Sequence, residues 1–443
     1  MTEATSKAKT KADKSFSLYD GVNRKTLKNG LRVITVPLAH LHTSTVSAFV
    51  RVGSRDETHE NNGISHFLEH MLFRGNDVYE SSYDLNLAVE SIGGELYAAT
   101  HADFTLYQIS LPPENIVEGI RILAETLRTP ALSDTEAERK IIREEVLESL
   151  DENYDCIDID DVSHAHLFEG HPLGFPIIGR LENIERFSAA ELKQYHATFY
   201  QAANIVLCLT GKLDMPAVMS AAEQHFGILP AGSLPKRQAF IEKPSKAQLH
   251  YVHHDDSQSE LRLSFRCPGE NDENLIALQL LCRVLDDGMS TRLHRRICEE
   301  QALAYDVFAS LELYEECGVF DVGISVEHQK IPLALQALFD LIRDLRDNGV
   351  LSAELEKAQK RFVWDLQASV DDAEDTAYVW GMRTLLGCDQ TSFDFLDRVK
   401  AASIEQLAKL SEKIFRPEHL HVTCVGSLSP ELVSQTEQLL AQF

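Results

Sequence analysis

The sequence predicts an α+β protein built from two tandem, similar halves, each a largely antiparallel sheet with helices packed on one face. Short strands and longer amphipathic helices follow one another without strict alternation, which favours this class over a parallel α/β sheet. A nearly constant shift also relates the two halves, which indicates an internal repeat. It aligns Phe49, Gly53, Asp56 and Glu57 with Phe265, Gly269, Asp272 and Glu273, and Gly211 with Gly426.

Hydrophobic periodicity and turn residues place the elements of the first half. The predicted strands are 31–37, 45–52, 96–100, 104–111 and 204–210, and the predicted helices are 82–92, 113–128, 134–150, 188–199 and 216–226. We expect residues 17–229 to form the first domain and residues 247–443 a second, homologous one. Residues 230–246, rich in proline and charge, are predicted to be an exposed linker between them.

Composition limits the partners of the chain. Its 443 residues are enough for two or three domains, and 69 acidic against 42 basic residues give a formal net charge of −27. Such a charge repels nucleic acid and attracts cations, so we expect basic peptides or metal ions as ligands. An acid excess that only maintains solubility is the alternative.

The N-terminal residues and the cysteines indicate the cellular compartment of the protein. Residues 1–16 carry lysines among Thr, Ala and Ser without an apolar stretch, so we expect a disordered tail rather than a secretion signal. No apolar run reaches the roughly 18 residues of a membrane span. The eight cysteines are scattered without a C-x-x-C pair, as in proteins with reduced thiols. We therefore expect a cytoplasmic protein that does not span a membrane.

Residues 63–73 form the pattern that indicates chemistry. His66, Glu69 and His70 stand at i, i+3 and i+4, so they share one face of a predicted helix. Two imidazoles one turn apart can hold a zinc ion, and a carboxylate that is not a ligand can take a proton from an attacking water. The order His-x-x-Glu-His is the inverse of the commoner His-Glu-x-x-His. Two histidines on a half-buried helix, without a metal, are the alternative.

The second half does not repeat this pattern. The internal alignment places Cys282, Leu285 and Asp286 at the positions of the three metal-site residues. We therefore expect one zinc ion per chain, bound by the first domain, and a different contribution from the second domain.

The acidic helix predicted at 134–150 is the best source of a third ligand. Catalytic zinc sites usually have three protein ligands and a water. Glu138 and Glu145 lie two turns apart on one helix face, so one could bind the metal while the other braces the site. Glu144 points about 100° away from Glu145 and is the weaker candidate. A solvated face of Glu and Arg pairs is the alternative.

The pattern from His66 to His70, followed by Glu138-Arg139 and Glu144-Glu145, resembles the pitrilysin family of inverted-motif zinc peptidases. The resemblance extends to Gly53-Ser54-Arg55-Asp56-Glu57, Gly93-Gly94 and His171-Pro172-Leu173-Gly174, and it covers nearly the whole chain after the tail. It is closest to the short, two-domain branch of bacterial proteins that are similar to the mitochondrial processing peptidase.

This resemblance implies roles for single residues. It implies His66, His70 and Glu145 as zinc ligands, Glu69 as the base, and Glu138 as the carboxylate behind a ligand. It also implies hydrolysis of peptide bonds, with Leu96, Tyr97, Ala98, Ala99 and Thr100 as an edge strand to which an extended peptide adds through main-chain hydrogen bonds. An ordinary interior strand is the alternative for this segment.

The resemblance also implies a defect in the second domain. Family members that complete their own site carry Arg, six residues and then Tyr, both donating hydrogen bonds to the substrate. Here Tyr305 is kept, but Cys298 stands at the arginine position, and Arg295 or Arg296 could replace it only through a local shift. We therefore expect a zinc-bearing subunit that pairs with a related two-domain chain supplying the Arg and Tyr, with a homodimer as the alternative.

Three functions remain open at this stage. The first is an active zinc endopeptidase acting on peptides or unfolded segments. The second is a catalytically inactive scaffold or assembly subunit, which retention of Glu69 and the three ligands disfavours. The third is a dedicated protease that matures one peptide for a cofactor or secondary metabolite.

Overall fold

The computed structural model describes residues 21–242, 246–388 and 392–443. The tail expected at 1–16 lies outside the described residues. Within the described ranges, no helix is both long and apolar enough to cross a membrane. All eight cysteines are free thiols.

The strands and helices follow the sequence prediction closely where one was made. The strands are β1 Asn23–Thr26, β2 Arg32–Pro37, β3 Ser44–Val50, β4 Glu95–Thr100, β5 Thr105–Leu111, β6 Ile205–Gly211, β7 Gln248–His253, β8 Ser259–Pro268, β9 Val307–Leu313, β10 Cys317–Val326 and β11 Leu420–Gly426. The helices are α1 Ile64–Leu72, α2 Ser82–Ser91, α3 Ile116–Arg128, α4 Thr135–Glu148, α5 Ile159–Leu167, α6 Leu181–Ile184, α7 Ala189–Phe199, α8 Met215–His225, α9 Leu275–Leu285, α10 Arg292–His294, α11 Ile331–Asn348, α12 Ser352–Ala368, α13 Ala373–Leu385, α14 Ser392–Ala401, α15 Ile404–Ile414 and α16 Pro430–Leu440.

The two sheets have the same topology. The first has six strands in the order β1-β2-β6-β3-β5-β4, and the second has five in the order β7-β11-β8-β10-β9. The pairs β2–β6 and β7–β11 are parallel, and the other pairs are antiparallel. Apart from β1, every strand of the first sheet therefore has a counterpart at the same place in the second. The predicted α+β fold of two similar, largely antiparallel halves is confirmed.

Each sheet has helices from its own half on one face and a helix from the other half on the opposite face. In the first sheet, α3 packs on β3 and β5, while α13 of the second half packs on β2, β3 and β6. In the second sheet, α5 of the first half packs on β7, β8 and β11. This exchange explains why all seven residues of β3 and of β6 are buried, although β3 carries the polar residues Ser44, Thr45 and Ser47. Polar side chains of β3 pair with those of the neighbouring strand β5: Ser47 Oγ donates to Gln108 Oε1 at 2.9 Å.

The segment between the halves is less exposed than its composition indicates. Most of residues 230–242 are exposed, and residues 243–245 lie outside the described ranges. Arg237 is one exception, since its side chain is 4% exposed and pairs with Asp56 and Asp103 of the first half. Within the segment predicted as an exposed linker, the Arg237 side chain is thus buried, because two buried carboxylates hold its guanidinium.

Candidate metal centre

Helix α1 begins at a close contact between two glycines. Gly63 is its N-cap residue with φ +98°, and Gly179 has φ +91°. A Cβ atom on Gly63 would lie 2.7 Å from the Cα of Gly179, so only glycine allows the two backbones to approach this closely. One side of the helix, including Phe67, Leu68 and Met71, is buried in the core of the first half. This burial, together with the glycine contact, fixes the orientation of the opposite side of α1.

That other side carries the predicted ligands. His66 Nε2 lies 3.6 Å and His70 Nε2 lies 3.7 Å from the same atom, Glu145 Oε2. One ligand atom from each of the three residues lies within 4.8 Å of the other two, the only such group of His, Cys, Asp or Glu in the described part of the chain. Tetrahedral zinc, with ligands at about 2.0–2.2 Å, spaces its ligand atoms about 3.4 Å apart. The group therefore has nearly the spacing that a metal ion requires.

Two further side chains hold His70 in position. Glu138 Oε2 lies 3.1 Å from His70 Nδ1, and Arg74 forms an ion pair with Glu138. Burial would raise the pKa of Glu138, but the hydrogen bond from His70 and the charge of Arg74 lower it, so this carboxylate is ionised. Glu138 thus fixes the imidazole so that Nε2 faces Glu145, as carboxylates behind metal-binding histidines do.

His66 differs from His70 in its electrostatics. Burial and the neighbouring His70 lower the pKa of His66 to about 3, so its imidazole is neutral, which is the metal-binding form. Burial would also lower the pKa of His70, but its hydrogen bond to Glu138 and the charges of Glu145 and Glu69 raise it. His66 Nδ1 is buried, and among the described residues it has no hydrogen-bond partner.

Glu69 lies beside the group and is 9% exposed. Thr100 Oγ1, at the end of β4, donates a hydrogen bond to Glu69 Oε2 at 2.6 Å. Burial raises the pKa of Glu69, while this hydrogen bond opposes the rise. A carboxylate with a raised pKa next to a metal-binding group is suited to accept and return a proton.

Strand β4, which contains Leu96 to Thr100, is an edge strand because it ends the order of the first sheet. The alternative of an interior strand is therefore excluded. Tyr97 is 53% exposed, and α1 packs against β4. The edge beside the metal group can accept another extended chain.

The remaining predicted residues lie apart from this group. Glu144 is exposed and pairs with Arg143, so it does not face the histidines. Tyr305 lies in the loop before β9 and is 100% exposed. Residues Arg295–Glu300 form a π-helix, in which Arg295 pairs with Glu300 and Arg296 with Asp344. Both arginines therefore have acidic partners within the second half.

The second half uses the equivalent positions differently. Asp286 Oδ2 accepts a hydrogen bond from Ala309 N at 2.9 Å, and Cys282 Sγ lies 3.5 Å from Ala309 O. Ala309 belongs to β9, which is the edge strand of the second sheet. The residues aligned with His66 and His70 thus bind the main chain of the strand that corresponds to β4.

The sequence analysis noted Glu57 in the repeat and in the family pattern but did not identify its role. Glu57 lies just before α1. Its carboxylate accepts hydrogen bonds from Gly63 N at 2.8 Å, Ser65 N at 2.8 Å and Asn62 Nδ2 at 2.9 Å. Complete burial raises the pKa of Glu57 to about 7, although these hydrogen bonds oppose the rise. In the usual capping patterns, the side chain that accepts from the first helix N–H groups belongs to the N-cap residue or to the third helix residue. Glu57 lies six residues before the N-cap Gly63, so these patterns could not identify it.

Fold and site together define a class: a duplicated α+β chain with an inverted His-x-x-Glu-His helix beside a sheet edge. Comparison with known proteins agrees. The insulinase (peptidase family M16) model matches residues 32–180, and the model of the peptidase M16 inactive domain matches residues 186–362.

Individual proteins are similar over most of the chain. An uncharacterized zinc protease of Mycobacterium bovis is 30% identical over 336 residues, covering 75% of this chain and 76% of that protein. One of Mycobacterium leprae is 27% identical over 429 residues, covering 95% of each. The crystal structure of a protease from Helicobacter pylori has a TM-score of 0.84 at 22% identity and covers 92% of this chain and 100% of that chain. The chain belongs to the M16 peptidase family, also called the pitrilysin family.

Proposed function

We propose that this chain is a zinc-dependent endopeptidase that cleaves extended peptides or unfolded segments. The observation that carries the proposal is the group of His66 Nε2, His70 Nε2 and Glu145 Oε2, spaced for one metal ion, with Glu69 beside it. The relatives named zinc proteases support zinc as the metal.

The residues around the group have distinct roles in this proposal. A bound zinc ion would supply Lewis acidity to the attacking water and the scissile carbonyl. Glu69 takes the proton of that water and returns it to the leaving amine. Thr100 holds Glu69 through its 2.6 Å hydrogen bond, and Glu138 holds His70. Burial of Glu69 limits access of bulk water to the base.

Substrate positioning is assigned to β4. An extended peptide adding to this edge forms main-chain hydrogen bonds, which depend weakly on side-chain identity. Thr100 links this strand directly to Glu69, so a peptide bound along β4 passes beside the base. The proposed substrates are therefore peptides that can extend, and the negative charge of the chain favours basic ones.

The active form is proposed to be a dimer in which a related two-domain chain completes the site. Three observations support this: Tyr305 is fully exposed, Cys298 stands where the family arginine is expected, and Arg295 and Arg296 are paired with acidic groups. Losing an oxyanion donor costs on the order of 10²-fold or more in turnover. The chain alone should therefore be weakly active.

Mixing experiments test the partner. Adding a related chain that carries the Arg and Tyr should raise the turnover of a quenched peptide at least about 100-fold. Full activity of the purified homodimer that no related chain increases, and that Tyr305→Phe leaves unchanged, contradicts the heterodimer.

A scaffold without activity is the second candidate, because the model matching residues 186–362 is described as an inactive domain. That match covers the half without ligands and leaves α1 and Glu145 outside it. A metal assay separates a scaffold from a peptidase, and a peptide-library digest separates a broad peptidase from a dedicated maturation protease. One bound zinc with cleavage that chelation abolishes supports the proposal; no bound metal, or cleavage that survives Glu69→Gln, overturns it.

A further inference from the structure

Glu57 connects the start of the metal helix to the rest of the molecule. It is 3% exposed, and its carboxylate accepts hydrogen bonds from the N–H groups of Gly63 and Ser65. These donors belong to the first turn of α1, where N–H groups have no partner within the helix. Ser65 directly precedes His66. The orientation of the first ligand therefore depends on where Glu57 lies.

The two residues before Glu57 face the interdomain segment and the second half. Arg55 Nη1 donates to Asp103 Oδ1 at 3.0 Å, and Arg55 also pairs with Glu316 of the second half. Asp56 accepts two hydrogen bonds from Arg237, at 3.0 and 2.7 Å. We call Arg55, Asp56, Asp103, Arg237 and Glu316 the interdomain ion cluster. Apart from Glu316, their side chains are almost completely buried.

The interdomain ion cluster also contacts the turn that follows β4, the strand whose Thr100 binds Glu69. Asp103 lies in the turn between β4 and β5, and its Oδ2 accepts a hydrogen bond from Glu315 N of the second half at 2.9 Å. Thr100, which binds Glu69, lies at the other end of this turn. Gly53 permits this turn to approach the loop before α1 closely, since a Cβ on Gly53 would lie 2.0 Å from His101 O. The second half thus touches both segments that place the catalytic groups.

We infer that Glu57 is a positioning residue of the metal centre, and that the interdomain ion cluster makes its position depend on the second half. This inference rests on the proposed metal binding. Charges paired in a buried cluster tolerate little displacement, since an unpaired buried charge is costly. The half that lacks ligands therefore contributes to the metal centre by fixing the loop from which α1 begins.

The first test replaces Glu57 by Gln, measured at pH 8, where most of Glu57 is ionised. The amide keeps the shape but turns an NH₂ group toward one of the helix N–H donors. Groups hydrogen-bonded directly to metal ligands are worth about 10- to 100-fold in metal affinity; Glu57 acts one residue further away, so we expect a loss of about 10-fold. Affinities for zinc and cobalt, and the visible spectrum of bound cobalt, are measured on folded protein. Glu60→Gln, an exposed acid in the same loop, is the control and should match the wild type.

The second test replaces Arg237 by Gln, which removes the partner of Asp56 without touching α1 or its cap. Metal affinity and the cobalt spectrum should change in the same direction as in Glu57→Gln, by a smaller amount. The exposed neighbour Lys236→Gln should leave both unchanged.

The outcomes separate this inference from the proposed function. If wild-type protein binds neither zinc nor cobalt, the proposed function fails, and this inference with it. If the wild type binds metal and both variants bind it with unchanged affinity and spectrum, even at reduced thermal stability, Glu57 has only a structural role and this inference alone fails. Should Glu57→Gln not fold, Arg237→Gln decides by the same criteria.

Discussion

Glu69 and Glu145 lie in the same group of side chains but have different surroundings, on which their different proposed roles rest. Glu145 places one oxygen near the Nε2 atoms of both histidines, whereas Glu69 shares an oxygen with the Thr100 hydroxyl. In the proposed mechanism, the first position suits a metal ligand and the second suits a base. These assignments depend on single atoms, so they are best tested by substitutions that keep the size of the side chain.

Replacing Glu69 by Gln should keep the metal and remove nearly all turnover. The amide retains the shape of the side chain and can accept from Thr100, but it cannot take a proton. A loss of about 10²- to 10⁴-fold in kcat, with unchanged metal content, is expected from peptide hydrolysis and elemental analysis. Glu60→Gln should retain full turnover, and a Glu69→Gln enzyme as active as the wild type contradicts the assignment.

Asp161 gives a prediction on pH. Burial, and then the charge of Asp158, raise the pKa of Asp161 to about 6. Because the pKa of Asp161 is higher in the folded than in the unfolded protein, ionising this group lowers the free energy of unfolding. This loss is absent below about pH 4, where the group is protonated in both states, and complete above about pH 6, where it is ionised in both. Asp161→Asn should therefore stabilise the protein by about 1–3 kcal/mol at pH 8, with the gain vanishing towards pH 4.

Chemical denaturation across this pH range measures the effect of Asp161→Asn. Glu152→Gln, an exposed acid in the preceding loop, should show no such trend. A gain in Asp161→Asn that is constant with pH contradicts the account of this group.

At the scale of elements, α1 depends on how it begins. Its start combines the contact between Gly63 and Gly179 with the hydrogen bonds from Gly63 N and Ser65 N to Glu57. Sequence patterns find a helix by its apolar side and do not reveal contacts between distant backbones.

Gly63→Ala tests the close contact separately from backbone strain. The new Cβ would lie 2.7 Å from Gly179 Cα, at a residue with φ +98°. Gly170→Ala is the matched control, since its φ is +74° but a Cβ there meets nothing within 4 Å. We expect about 1 kcal/mol of destabilisation for the control and at least about 3 kcal/mol for Gly63→Ala. Equal losses in the free energy of unfolding would show that the contact contributes nothing.

The sequence predicted the positions of the helices and strands better than the contacts between them. Periodicity placed β4 and α4, and helix spacing placed His66, Glu69 and His70 on one side of α1, because both patterns are local. The approach of Glu145 to the histidines, the bond between Thr100 and Glu69, and the cap by Glu57 join separate elements, so spacing could not predict their geometry. The burial of β3 on both faces also escaped prediction, because α13, which covers it, comes from the other half.

At the scale of the whole molecule, the two halves are interlocked. Each supplies the helix that covers the outer face of the other's sheet, and the interdomain ion cluster joins them beside the metal centre. The second half has other residues at the ligand positions, with Cys282 and Asp286 bound to its own edge strand. Among the described residues, the molecule therefore combines one candidate metal site with the sheet edge formed by β4 beside it.

The number of zinc ions bound per chain, compared between the wild type and variants at the adjacent residues Glu144 and Glu145, tests the central claim most directly. Wild-type protein should contain one zinc per chain, and His70→Ala and Glu145→Gln should lose it or bind it at least about 10-fold more weakly. Glu144→Gln, one residue away but facing solvent, should bind zinc like the wild type. Two ions per chain in the wild type, or loss of metal in Glu144→Gln but not in Glu145→Gln, would contradict the account.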